Sequence, residues 1–489
     1  MVRKLIDDKR LVVLLYIFSL VFLLSTFYWL KDPVWEEFAY VKQAAGKTPY
    51  NWLLSTSHLT LLIGMSFLNS GLSLFSLRFL MVFIGALSTP LMYLILREVN
   101  VSKTIAVLGS LILIMNPYVN LHLKQFITEP ISYPLYLVSI LFFLKTLKSH
   151  NSKYLIVAVT FSILGFLNRQ VDLIPAIAFF LFLIVNFKGR SFLSKTFGMG
   201  KVLPKISNKL MIASIPIVFS IIYFGYNYLA TGNLLNPTTV PSTVSPDAPY
   251  APQFGIHPLH SPFRIMQDII FLGFMFLPFL AFIPRHIKSN LQQKFVILFA
   301  LAIGILAMIS DKEYIVYGNS LLVFVVASLF AYSGINLGLL VMQNRKGSPI
   351  LNYAFIALIG CLLFTVLKIN IFAVKQYLIF LPFLIIFLAA KIKDTRPYLL
   401  TVLVIGGYGV ALSINDLQFH EKVWAEANAL LQSGVEPRDI DGPSEVVSWL
   451  NDLTDNVYGR YKIITPRHPF LYDFYDVDSI KVVRVNGKT

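Results

Sequence analysis

The sequence predicts an α-helical polytopic membrane protein of about 13 spans, closed by a small α/β tail. Three observations predict it. Hydrophobic residues fill 56% of the 489 positions and charged residues only 13%, too few charges to cover that apolar surface in water. Apolar runs of roughly 20 residues recur along the chain, the length that crosses a hydrocarbon core of about 30 Å. Finally, Lys and Arg crowd into alternate connections between those runs, a bias that membrane insertion imposes.

The first run, Leu11–Leu30, follows the basic stretch "MVRKLIDDKR" and is not succeeded by a small-x-small cleavage site. It therefore reads as an uncleaved span rather than a signal peptide. Further spans are expected at 77–96, 104–120, 131–147, 154–167, 173–187, 210–229, 265–284, 295–309, 320–342, 351–367, 377–392 and 398–413. Those at 154–167 and 173–187 are short for a full crossing.

Orientation follows from the cations. Arg3, Lys4, Lys9 and Arg10, the six Lys and Arg of 188–209, then Arg285, Lys288 and Lys294, then Lys391, Lys393 and Arg396 all fall on one face if the N-terminus is cytoplasmic. Roughly 23 of the 41 Lys and Arg lie on that face. The formal charge of +16 thus reads as topology, and the expected partner is the lipid bilayer of the plasma membrane rather than nucleic acid. An odd number of spans puts the tail outside. Residues 1–413 form the expected membrane module and 414–489 the extracytoplasmic domain.

The opposite face is poor in cations. Its 231–263 connection is rich in Pro, Ser and Thr and has no Lys or Arg, as expected of a lid or binding loop. The 31–76 connection is apolar in patches, which points to short helices lying in the interface. The tail carries helix-like "EKVWAEANALLQ" and "PSEVVSWLND", then strand-like "RYKIIT" and "IKVVRV". Cys361 is the single cysteine, so an internal disulfide is excluded and a thiolate metal site is not expected. The chain has no Walker loop, GxGxxG, HExxH or GxSxG, which removes support for nucleotide-driven transport and the commoner hydrolases.

Ionisable residues next to spans need a reason, because facing lipid costs a few kcal/mol. In "KDPVWEEFAY", Asp32-Pro33 reads as a helix start, with Asp32 as N-cap and Pro33 at the first helical position. Glu36 and Glu37 would then sit near the positive end of the helix dipole. A carboxylate held at the membrane's outer surface also suits a general base for a hydroxyl acceptor; Glu36 is the first candidate, Glu37 the second and Asp32 a rival. Glu129, in "TEPISYP", is either a helix start or a second acid in the same pocket. Arg169, in "FLNRQVD", either pairs with Asp172 or clamps an anion bidentately. Lys375 either snorkels or binds that anion, and Arg78 resembles an ordinary interfacial cation. His257 and His260, in "HPLH", could hold a divalent metal with a carboxylate; no other cofactor is expected.

These stretches resemble the GT-C glycosyltransferases, in particular the protein O-mannosyltransferase and aminoarabinose-transferase group. "WEEFAYVKQAAGKTPY" is similar to the group's first outer loop, with Glu36, Glu37, Tyr40 and Gly46 on its marked positions. "SLRFLMVFIGAL" resembles its next span, which begins with an Arg, here Arg78. "TEPISYPLYL" is similar to the span with a second acid, here Glu129. "NRQVDLIPA" carries the terminal cation as Arg169, and "VKQYLIFLPF" the start of a late span. The tail resembles members with Trp424, Ile440-Asp441-Gly442 and Trp449. Glu36 stands where the group has Asp, Gln376-Tyr377 stands for Arg-Tyr so that Lys375 supplies the charge, and the Pro-rich stretch after the acids is replaced by "STSHLTLL".

The resemblance implies a GT-C-like fold and the inverting transfer of a sugar from a polyprenyl-phosphate donor to a protein, lipid or glycan hydroxyl, outside the cytoplasm. It implies catalytic roles for Glu36, Glu37, Asp32 and Glu129, donor-phosphate contacts from Arg169, Lys375, Arg78 and Tyr377, and a substrate pocket with Tyr40 and His58. The alternatives are a lipid or polysaccharide transporter, or a surface-glycan polymerase or ligase. A transporter calls for polar residues at mid-membrane depth, whereas nearly all the charged candidates here fall at one face.

Overall fold

The apolar runs fold as helices. The computed structural model describes residues 2–27, 29, 32–34, 37–46, 57–197, 203–231, 269–280, 290–310, 320–345, 347–367, 378–441, 461–464 and 480–484. The helices are α1 (Val2–Ser25), α2 (Glu37–Ala44), α3 (His58–Asn69), α4 (Leu74–Gly85), α5 (Ser88–Glu98), α6 (Lys103–Met115), α7 (Pro117–His122), α8 (Glu129–Ser149) and α9 (Ser152–Phe166). They continue with α10 (Ile174–Phe197), α11 (Leu203–Thr231), α12 (269–275), α13 (Asn290–Ser310), α14 (Ser320–Asn344), α15 (Pro349–Leu367), α16 (Leu381–Lys391) and α17 (Arg396–Gln432). Among the described residues, five stretches are long and apolar enough to cross a membrane: Leu74–Glu98, Glu129–Ser149, Asn208–Tyr226, Phe324–Asn344 and Arg396–Gln432. The chain is a multi-pass α-helical membrane protein.

Prolines divide two of the expected spans. The run 77–96 is split into α4 and α5, because Pro90 has no N–H to return to the carbonyl of Ala86. The run 104–120 bends at Asn116-Pro117, where the Asn116 side chain accepts from the amides of Tyr118 and Val119 and caps α7. Much of the expected 188–209 loop is helical, since α10 runs on to Phe197 and α11 begins at Leu203.

Polar contacts gather at the two ends of the bundle. At one end the Tyr93 hydroxyl donates to Asp8 at 2.7 Å, Lys103 lies 3.3 Å from the same carboxylate, and Lys148 pairs with Glu98 at 3.1 Å. This end joins the N-terminal helix to the α5–α6 and α8–α9 turns. The other end carries the 32–37, 57–73, 123–128 and 167–173 segments. Between the ends, some buried hydroxyls satisfy each other, Ser19 with Thr89 and Ser139 with Ser162, each at 2.5 Å.

α17 is a single 37-residue helix. The expected boundary at 413/414 falls inside it, and the helix-like "EKVWAEANALLQ" is its continuation rather than a separate tail element. Its Gly406 and Gly409 press against the α6–α7 bend; a Cβ on Gly409 would lie 2.6 Å from the Met115 carbonyl oxygen. Small residues allow such backbone approach where lipid supplies no hydrophobic drive. Beyond the membrane stretch, Phe419, Val423, Trp424 and Ala427 pack against Ile440, Ile463 and Ile480. The last three belong to or flank a three-stranded sheet of order β1-β2-β3, built from β1 (Ile440–Asp441), β2 (Tyr461–Ile464) and β3 (Lys481–Arg484). β1 pairs parallel to β2, and β2 antiparallel to β3, with Tyr461 opposite Arg484. The strand-like stretches of the tail form β2 and β3, while "PSEVVSWLND" lies outside the described residues.

The Gly409 contact is testable. Gly409→Val is expected to destabilise the purified protein by about 1–3 kcal/mol through overpacking. Gly407→Val, where an added Cβ meets nothing within 4 Å, should leave the thermal midpoint nearly unchanged.

Candidate active site at one end of the bundle

The acid-bearing stretch does not begin a helix at Asp32. α2 starts at Glu37, five positions later, with Asp32, Pro33 and Val34 non-helical before it. The expected N-cap role of Asp32 is therefore corrected: its backbone carbonyl instead accepts a 2.7 Å hydrogen bond from Arg78 Nη2. The reason lies in Glu37, whose carboxylate turns back to accept from the Val34 amide at 2.9 Å and folds the approach to the helix as a turn.

Glu37 and Arg78 form a buried ion pair, both side chains 0% exposed. Arg78 donates through Nε at 3.0 and 3.2 Å and through Nη2 at 2.5 Å, and the Phe126 amide donates to Glu37 Oε1 at 2.7 Å. Two charges can leave water only if their lone pairs and protons are met this fully. One carboxylate thereby ties together the first outer loop, α4 and the 123–128 connection. Tyr40, one turn further along α2, packs its ring with Leu61, Leu77, Met81 and Phe126.

Three residues past Phe126, Glu129 is the first residue of α8, followed by Pro130. Arg169 Nη1 lies 3.4 Å from Glu129 Oε1, with the carboxylate 1% exposed and the guanidinium 13%. The cation thus reaches the surface while its acid stays beneath. Asp172 turns the other way, accepting from the Ser132 hydroxyl of α8; Gly165 leaves the room for it, since a Cβ there would lie 2.8 Å from Asp172 Cβ.

Asn168 holds this pair in place, and sequence reasoning missed it. Its Oδ1 accepts from the Thr60 amide at 3.0 Å and the Thr60 hydroxyl at 2.9 Å, while its Nδ2 donates to the Thr128 carbonyl at 2.9 Å. A single amide therefore joins α3, the residue before Glu129 and the residue before Arg169. The only available signal was its adjacency to Arg169 in "LNRQVD". His58, the first residue of α3, donates its backbone amide to Leu167 at 3.1 Å and places Nε2 2.8 Å from the Tyr223 hydroxyl of α11. Burial draws the His58 imidazole below its ordinary pKa.

The structure thus brings Glu37, Arg78, Tyr40, His58, Glu129 and Arg169 to one end of the bundle. Glu36, Lys375, Tyr377, His257, His260 and the 231–263 connection lie outside the described residues. Among the described residues no three His, Cys, Asp or Glu side chains cluster as a metal site would require.

Two predictions follow from this geometry. Glu37→Gln or Arg78→Met alone should destabilise by about 3–5 kcal/mol, because each strands a buried charge. The double variant should lose less than the sum of the two, read from thermal or denaturant unfolding in detergent. For His58, the folded state disfavours the protonated ring, so below about pH 6.5 the unfolded chain binds more protons. Stability should be full above that value and fall as the pH drops from about 7 to 5, and His58→Gln should remove that part of the fall.

The family model for dolichyl-phosphate-mannose-protein mannosyltransferases matches residues 58–204. That segment contains His58, Arg78, Glu129 and Arg169 and begins after Glu36 and Glu37. Among solved structures, the S. cerevisiae protein O-mannosyltransferase Pmt1-Pmt2 complex bound to the sugar donor is similar, with 16% identity and a TM-score of 0.37. The similarity covers 47% of this chain and spans 34% of the length of that chain. No curated protein matches in sequence. Over residues 58–204 the chain carries the pattern of the dolichyl-phosphate-mannose-protein mannosyltransferase family.

Proposed function

We propose that this chain is a membrane glycosyltransferase of the protein O-mannosyltransferase type, moving a sugar from a polyprenyl-phosphate donor to an acceptor hydroxyl with inversion, on the extracytoplasmic side of the plasma membrane. The observation that carries the reading is the Glu129–Arg169 pair, seated three residues along the same connection from the Phe126 amide that grips Glu37. A partly exposed guanidinium and an acid-bearing loop thereby share one end of the bundle.

The chemistry assigned to that end balances simply. Glu36 takes the proton of the acceptor hydroxyl as its oxygen attacks the anomeric carbon. The bond from that carbon to the lipid phosphate breaks, and the phosphate departs with the electron pair. General-base help of this kind is worth roughly 10²–10⁴ in rate. Arg169, with Lys375 and Tyr377, is assigned to the negative charge growing on the departing phosphate. Glu129 orients Arg169. Glu37 and Arg78 are assigned to holding the acid loop, because their charged atoms are turned to each other in the protein interior. Holding both substrates against one loop supplies the remaining acceleration, and the 231–263 connection is assigned as the lid. A lipid-linked donor accounts for a chain without a soluble nucleotide-binding motif. The cation-rich end with Lys103 and Lys148 is assigned to the cytoplasm, the N-terminus with it, and the C-terminal sheet to the outside.

The test is reconstitution with radiolabelled polyprenyl-phosphate sugars. Glu36→Gln is expected to lower transfer by about 10²–10⁴ while donor binding persists, and Arg169→Gln to weaken use of the donor. A folded Glu36→Gln variant that transfers at the undiminished rate overturns the assignment of the base. Wild-type protein inert toward every polyprenyl-phosphate sugar overturns the reading as a whole.

A further inference from the structure

The part of α17 beyond the membrane stretch carries a buried stripe that the reading above leaves unused. Ser413, Asp416, His420 and Trp424 recur at spacings of three, four and four, one face of a helix, and all are buried. That face meets the chain on either side of the acid loop. Trp424 donates its Nε1–H to the Pro33 carbonyl at 3.0 Å, a contact between residues 391 positions apart. Val34, wholly buried, packs with Leu121 and with Leu412 of α17. On the loop's other side Lys124, also wholly buried, donates to the Thr26 carbonyl at 2.7 Å and hydroxyl at 3.2 Å. The Thr26 hydroxyl donates to Asn120 at 3.2 Å, and Asn120 donates to Ser413 at 3.0 Å. Asp416 lies 3.8 Å from His420 one turn along.

Buried polar side chains are kept where their hydrogen bonds are met. Here they bracket one segment. Thr26 is fixed before it, Pro33 and Val34 within it, and Glu37 at its far end.

We propose that the C-terminal half of α17 is a positioning element for the acid-bearing stretch around Pro33 and Val34, with Trp424 as its hydrogen-bonding anchor at Pro33 and Ser413, through Asn120 and Thr26, as its second anchor. The role of the loop in catalysis rests on the function proposed above; the mechanical coupling does not. In that arrangement the tail sheet, by packing on Trp424, braces the same contact from behind. Trp424 then acts on turnover through the loop and not by touching substrate.

Hydrogen exchange of the full-length protein in nanodiscs, together with transfer kinetics, tests it. Trp424→Phe keeps an aromatic ring and deletes the N–H, and Ser413→Ala removes the hydroxyl that accepts from Asn120. Each is expected to raise deuterium uptake in peptides covering 27–40 several-fold, with α4–α6 peptides unchanged. kcat should fall about tenfold, the equivalent of one lost hydrogen bond, with KM for the donor within about twofold. Unchanged uptake over 27–40 in both variants overturns the proposal, as does a rise spread over the whole bundle, which reads as general loosening. If uptake rises only over 27–40 while wild-type protein transfers no sugar, the positioning element stands and the enzymatic reading falls.

Discussion

The arrangement of the end of the bundle that carries Glu129 and Arg169 depends on one buried ion pair. Glu37 and Arg78 have left water altogether, and neither charge could remain there without the other. Because the carboxylate also takes the amides of Val34 and Phe126, satisfying it fixes two separate stretches of backbone relative to α4. The acid loop receives its course from this pair, since the bond back to Val34 makes a turn where the sequence alone reads as helix. The 123–128 connection receives its height in the same way, and Glu129 begins α8 directly after it.

The second constraint is the hydrocarbon environment itself. Charge inside the bundle is expensive unless paired or wet, and the fold answers by separating charge to two ends. The middle is joined by hydroxyl pairs and by tyrosines that reach backbone carbonyls, as Tyr133 and Tyr136 do to Leu378 and Ile379. Those two bonds matter to function, because they carry the start of the late helix α16 to the α8 wall, next to the end where Glu129 and Arg169 meet. Asn168 does comparable work nearer the end of the bundle, where one buried side-chain amide joins α3 to the residue before Glu129.

α17 links these environments. Its glycines let it lie against the α6–α7 bend, its next turns carry a polar stripe, and its last turns present an apolar face to a small sheet. Trp424 on this continuous helix meets both the Pro33 carbonyl and the apolar cluster of the small sheet.

Much of the fold was legible in the sequence, because apolar length and cation placement respond to the bilayer, a solvent whose demands are uniform and local. The helical runs, the strand-like "RYKIIT" and "IKVVRV", and the gathering of Glu37, Arg78, Glu129 and Arg169 at one end could all be read that way, since side chains near span ends have nowhere else to go. Tertiary structure alone decided which charge met which. Asp32 reads locally as a cap, yet its carbonyl serves an arginine 46 positions later. Asn168 and Trp424 carry no local mark of their partners. The persistence of α17 past the expected boundary likewise shows only in the folded chain. The physical reason is range: a hydrophobic run is judged by the medium around it, whereas a hydrogen bond or ion pair is judged by a partner that only the folded chain brings near.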